Sequence, residues 1–92
     1  MPVKVKIPTM MRAQAGGLPV IDGDGGTVRM VLEDLERRYP GLTRNIVTED
    51  GILHRFVNLY VNDEDVRYLD SLETAVGDGD TLSILPAVAG GR

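Results

Sequence analysis

Only one stretch of the chain repeats its apolar residues at helical spacing. Val28, Val31, Leu32, Leu35 and Tyr39 form one stripe, while Arg29, Glu33, Asp34, Glu36 and Arg37 take the other side. Thr27 offers an N-cap hydroxyl and Pro40-Gly41 stops the run. A single amphipathic helix cannot cover its own stripe, so the remaining residues must supply the surface it packs on. Those residues alternate with a period of two. The chain is therefore expected to be a sheet crossed by one helix.

The alternation can be followed in order. Val3, Val5 and Ile7 interleave with Lys4 and Lys6 up to Pro8, the pattern of a strand with one buried face. Residues 9–17 end in a Gly16-Gly17 turn signal, and the apolar run at 18–21 completes an N-terminal hairpin. Met10 and Met11 are expected to plug the open end of the core. Asp22-Gly23-Asp24-Gly25-Gly26 reads as a turn, since its two aspartates would repel a phosphate and no nucleotide-binding glycine motif is present. Residues 42–47 suit a short helical turn and 48–53 a polar loop.

The run 56–62 is the clearest strand, with Val57, Leu59 and Val61 on one face and Phe56, Asn58, Tyr60 and Asn62 on the other. An acidic turn at 62–65 leads to a short strand at 66–69, a helical turn at 72–76 and a tight turn at Asp78-Gly79-Asp80. The final strand spans 81–85, Leu82 and Ile84 pointing inward and Ser83 and Leu85 outward. Phe56, Tyr60 and Leu85 then share the open face, an apolar patch suited to docking a partner. First and last strands side by side under one helix make an α+β fold of the β-grasp arrangement, a mixed sheet of about five strands. Residues 1–85 are expected to form that domain and 86–92 a flexible tail.

Most chemistries find no footing. With 92 residues the chain is one small domain with little room for an internal active site. Without cysteine it has no disulfide, thiolate metal site or thiol nucleophile. His54 is the lone histidine and Ser71 and Ser83 are the only serines, so a catalytic triad has little to draw on, and a loop histidine reads as polar surface. Asp63, Glu64 and Asp65 lack calcium-loop spacing and read as a solvated turn, as do Asp78 and Asp80. No bound metal or cofactor is expected. A net charge of −4 argues against nucleic acid, and the absence of a long apolar run argues against a membrane and for the cytoplasm.

What remains is the tail, Pro86-Ala87-Val88-Ala89-Gly90-Gly91-Arg92. Its side chains cannot act as acid, base or ligand. It is slim, however, and consecutive glycines let a narrow channel close around bare backbone. The reactive group is expected to be a Gly-Gly carboxylate on Gly91, with Gly90 leading into it and Pro86 and Val88 joining Phe56, Tyr60 and Leu85 in partner binding.

The string from Asp78 to Gly91 resembles the ending of ubiquitin-like sulfur carriers of the MoaD/ThiS family. The stretch from His54 to Arg67 and the opening Ile7-Pro8-Thr9 are similar to its CysO-like branch, carriers in cysteine biosynthesis. The resemblance implies a carrier acted on by enzymes, not an enzyme. In the family an E1-like adenylyltransferase/sulfurtransferase uses ATP and Mg²⁺ to adenylate the terminal carboxylate and converts it to a thiocarboxylate. A PLP-dependent cysteine synthase, or another acceptor serving molybdopterin, thiamin or thiosugar synthesis, takes the sulfur, and a metalloprotease trims the tail. Arg92 departs from the pattern by locking the Gly91 carboxylate in a peptide bond. It is a residue to be removed, a residue added for expression, or the mark of a copy inactive as a carrier. A ubiquitin-like protein modifier and a non-catalytic docking subunit are the alternative functions.

Overall fold

The computed structural model describes residues 2–86. Strands β1 (Val3–Lys6), β2 (Val20–Gly23), β3 (Val57–Val61), β4 (Glu64–Asp65) and β5 (Thr81–Pro86) form one sheet in the order β2-β1-β5-β3-β4. β1 and β5 run parallel at the centre, and the remaining pairs are antiparallel. Helix α1 (Val28–Arg38) crosses one face. This is the α+β, β-grasp arrangement expected from the element order.

The core forms where the two periodicities meet. Val3, Val5, Ile21, Leu59, Leu82 and Ile84 from the sheet and Val28, Val31, Leu32 and Leu35 from α1 are all buried. Thr27 caps the helix as expected, its hydroxyl accepting from the Met30 N–H at 3.2 Å. The far end is closed by Glu36, whose carboxylate accepts from the Gly41 N–H at 2.8 Å, the Thr43 hydroxyl at 2.7 Å and the Thr43 N–H at 3.1 Å. These bonds tie α1 to the following 3₁₀ turn, Leu42–Asn45.

Several elements differ from the sequence reading. β2 lies later than 18–21 because Gly23, read as part of a turn, belongs to the strand: a Cβ there would stand 2.6 Å from Val31 Cγ1, so the helix approaches closely only over glycine. The link between β1 and β2 is the 3₁₀ helix Thr9–Ala15, which separates the two methionines. Met11 is buried and does plug the core, whereas Met10 is 68% exposed.

Residues 66–69 form no strand. The strand is β4, folded back onto β3 by a two-residue turn at Asn62 and Asp63, both at positive φ (50° and 76°). Val66–Tyr68 is a 3₁₀ turn because the Asp65 carboxylate accepts from the Arg67 N–H at 2.9 Å. The helical turn expected at 72–76 is present earlier, as the 3₁₀ turn Ser71–Glu73. Phe56 precedes β3 rather than opening it.

Two predictions follow from this packing. Gly25→Ala would bring a Cβ within 2.7 Å of the Val31 amide nitrogen, whereas Gly26→Ala meets nothing within 4 Å. The first variant is expected to lose about 1–3 kcal/mol in urea unfolding and the second to lose none. The Gly41 N–H, with the Thr43 hydroxyl and N–H, also holds Glu36 below its ordinary value. A carboxylate depressed in the folded state stabilises above its unfolded value, about 4.3, and this contribution disappears as pH falls through the lowered folded value. Glu36→Gln should therefore cost about 1 kcal/mol near neutral pH, with the gap to the parent chain closing in acid.

Candidate functional site at the root of the tail

β5 runs through the middle of the sheet, paired with β3 as far as Pro86 but with β1 only as far as Ser83, so its last residues have a strand on one side and the segment that follows β1 on the other. Its start is fixed by Asn62 and Asp80. Asn62 Oδ1 accepts from the Thr81 N–H and Asn62 Nδ2 donates to Asp80, each at 2.9 Å, while Asp80 also accepts from the Gly77 N–H at 2.8 Å. The Asn62 and Gly77 donors hold the Asp80 carboxyl below its ordinary range. From this anchor the register puts Tyr60 opposite Ser83, Asn58 opposite Leu85 and Val57 opposite Pro86.

Alternation then assigns the faces. Leu82 and Ile84 are buried beneath α1, and Ser83 and Leu85 stand on the open face beside Asn58, Tyr60, Lys4 and Lys6. Leu85 is 48% exposed, a large apolar side chain offered to solvent. Tyr60 is partly buried beside it on the same face.

Phe56 occupies a different place. Its N–H donates to His54 Nδ1 at 3.2 Å, its ring lies 5.5 Å from the His54 ring and the Arg55 guanidinium sits 5.0 Å over it. This turn, rather than the strand, sets the direction of Phe56. Phe56 and Pro86 line a shallow depression near 330 Å³ together with Met10, Met11, Asn45 and His54. A second depression, near 390 Å³, is lined by Leu85 and Val20 with Lys6, Arg12, Pro8 and Pro19. The expected patch is thus divided into two hollows flanking the end of β5, with Tyr60 lining neither of them. Val88, Gly90, Gly91 and Arg92 lie outside the described residues.

Residues that the sequence did not single out hold this site together. Arg67 donates to Asn58 Oδ1 at 2.7 Å, to the Val57 carbonyl at 2.8 Å and to the His54 carbonyl at 3.1 Å, bracing the start of β3 and the turn that carries Phe56. His54, read as polar surface, is half-buried and orders that turn through Nδ1. Arg12 donates Nε to the Ile7 carbonyl at 3.0 Å, fixing its guanidinium beside the Leu85 hollow. The Arg67 contacts are not legible from spacing, because the fold brings them together from separate elements, and the His54–Phe56 contact is one that strand periodicity does not report. Among the described residues no group of three or more His, Asp or Glu is placed to hold a metal, and no helix is long and apolar enough to cross a membrane.

The site thus consists of two shallow hollows of mixed lining on either side of the end of β5. Known proteins share its frame. The sulfur carrier protein CysO of Mycobacterium tuberculosis is 50% identical over 93 aligned residues, spanning 99% of this chain and 100% of that protein. A chain in the crystal structure of the Amycolatopsis orientalis BexX/CysO complex superposes with a TM-score of 0.90 at 51% identity, covering 96% of this chain and 98% of that one. Small archaeal modifier protein 3 of Haloferax volcanii is 44% identical over 68 residues, 74% of this chain and 73% of that protein. The ThiS family pattern runs from residue 5 to residue 91, and the chain belongs to the ThiS family.

Proposed function

We propose that the chain is a sulfur carrier of the CysO type, acted on by enzymes, with the Gly91 carboxylate as its reactive group. The observation that carries this reading is that the family match continues through both glycines to residue 91. The peptide bond to Arg92 must be cut first. A free carboxylate is then still a poor electrophile, because oxide is not a viable leaving group. An E1-like enzyme that binds ATP and Mg²⁺ joins a carboxylate oxygen to the α-phosphate and expels pyrophosphate. Hydrosulfide attacks the carbonyl carbon, AMP departs with that oxygen, the S–H proton passes to solvent, and Gly91 ends in a thiocarboxylate.

The thiocarboxylate sulfur is a nucleophile that a PLP-dependent cysteine synthase accepts, and a metalloprotease afterwards releases the product from the tail. The carrier supplies neither acid nor base to these steps. It supplies a slim end that enters several active sites and a common root that each enzyme grips. Phe56, Tyr60, Leu85, Pro86 and Val88 are the gripping residues in this reading, Gly90 and Gly91 the threaded ones. A second reading, conjugation of Gly91 to lysines of other proteins, draws support from the similarity to a small archaeal modifier protein.

Intact mass of the protein from its native cells is expected to include a form ending at Gly91 and a form in which one oxygen has been exchanged for sulfur. Exclusive retention of Arg92 would sink the proposal, and Gly-Gly remnants on cellular lysines without any thiocarboxylate would favour conjugation. Leu85→Asp, at an exposed position, should lower activation of the carrier by about tenfold or more while leaving its thermal unfolding nearly unchanged.

A further inference from the structure

Charge is sorted across this molecule. Overall the chain is acidic, with a net charge of −4. On the helix side the cations are neutralised: Arg29 pairs with Glu73, and Arg37 and Arg38 pair with Asp34 at 2.9 and 2.8 Å. At the tail root they are not. The side chains of Lys6, Arg12, Arg55 and Arg67 form no ion pair among the described residues, nor does Arg44, which lines a separate depression with Glu36 and Glu49, whereas Lys4, farther along β1, is paired with Asp22.

Their positions form a collar. Lys6 stands opposite Ser83, two residues before Leu85, and lines the Leu85 hollow with Arg12. On the other side of β5, Arg55 covers Phe56 and Arg67 is bonded to the carbonyl of Val57, the residue opposite Pro86. No aspartate or glutamate lines either hollow. Four of the five cations without an ion pair among the described residues thus gather around the apolar docking residues, and the fifth, Arg44, stands among carboxylates.

Resting on the carrier reading, we infer that the collar recognises a carboxylate-rich rim around an apolar socket on the activating enzyme. A net negative protein approaching a negative surface is repelled unless its local field is reversed where the two meet. The collar supplies that reversal and gives the molecule a dipole that turns the tail root toward the rim. Exposed charges of this kind act mainly on the rate of productive encounter and weaken as salt screens them. A phosphate backbone fits less well, since Lys6 and Arg12 share their hollow with apolar Leu85 and Val20 and Arg55 lies over the Phe56 ring, and the overall charge opposes a polyanion.

The test uses the carrier ending at Gly91 with the E1-like adenylyltransferase purified from the same cells, followed by ATP–pyrophosphate exchange over a range of carrier concentrations. Lys6→Glu combined with Arg55→Glu, both at exposed positions, should raise the half-saturating carrier concentration about tenfold at low salt. The maximal rate should stay the same, and the gap should narrow at high salt. The reference is Arg37→Glu with Arg44→Glu, also exposed and of equal charge change, which should shift it less than about twofold. Lys6→Gln with Arg55→Gln should give an intermediate shift, with thermal unfolding checked for every variant. Equal effects of both reversals, no effect of either, or tight binding of single-stranded RNA by the parent chain would overturn the collar inference and leave the carrier reading standing. A parent chain that is not activated at all would overturn both.

Discussion

The parallel pairing of β1 with β5 is the constraint on which the rest of the structure depends. Parallel neighbours cannot be joined by a tight turn, so everything between them must leave the sheet and return. Here that excursion carries α1 over one face and β3 and β4 along the other flank of β5. The Lys4 N–H donating to the Asp80 carbonyl at 3.0 Å begins the pairing, and Val5 and Leu82 meet across it fully buried. Because the last strand is central and not at an edge, its end lies between β3 and the segment that follows β1. The two hollows lie on either side of this end.

Much of this frame was legible in the sequence, for reasons that also explain what was not. The stripe from Val28 to Tyr39 and the alternation at Val3–Ile7, Val57–Val61 and Thr81–Leu85 report burial on one side, a property each segment owns by itself. Leu85 was therefore readable as exposed. Phe56 was readable as exposed too, but not as part of the turn before β3, where its N–H donates to the His54 ring, a contact between residues two apart that periodicity ignores. The 66–69 run was misread because Asp65 caps the backbone before a ladder can form, and a capping carboxylate outweighs the strand preference of a single valine.

Gly23 illustrates the opposite case. In sequence it belongs to a cluster of turn formers, yet its use is to remove a side chain where Val31 must sit. Arg67 was unreadable for a third reason, since its three acceptors lie nine to thirteen positions away and are brought within reach only by the fold. What the sequence conveyed poorly was thus the set of contacts that shape the tail root, while the platform beneath it was clear.

The outer strands have a bearing on life at high concentration. β4 is only two residues long and wholly acidic, Glu64–Asp65, and β2 at the opposite margin spans four residues beside the Lys4–Asp22 ion pair. Neither margin presents a long, flat row of unpaired amides for another copy to extend. A protein that keeps Phe56 and Leu85 in the open thereby sets no long backbone template beside them, and its stickiness stays confined to surfaces that another fold must match.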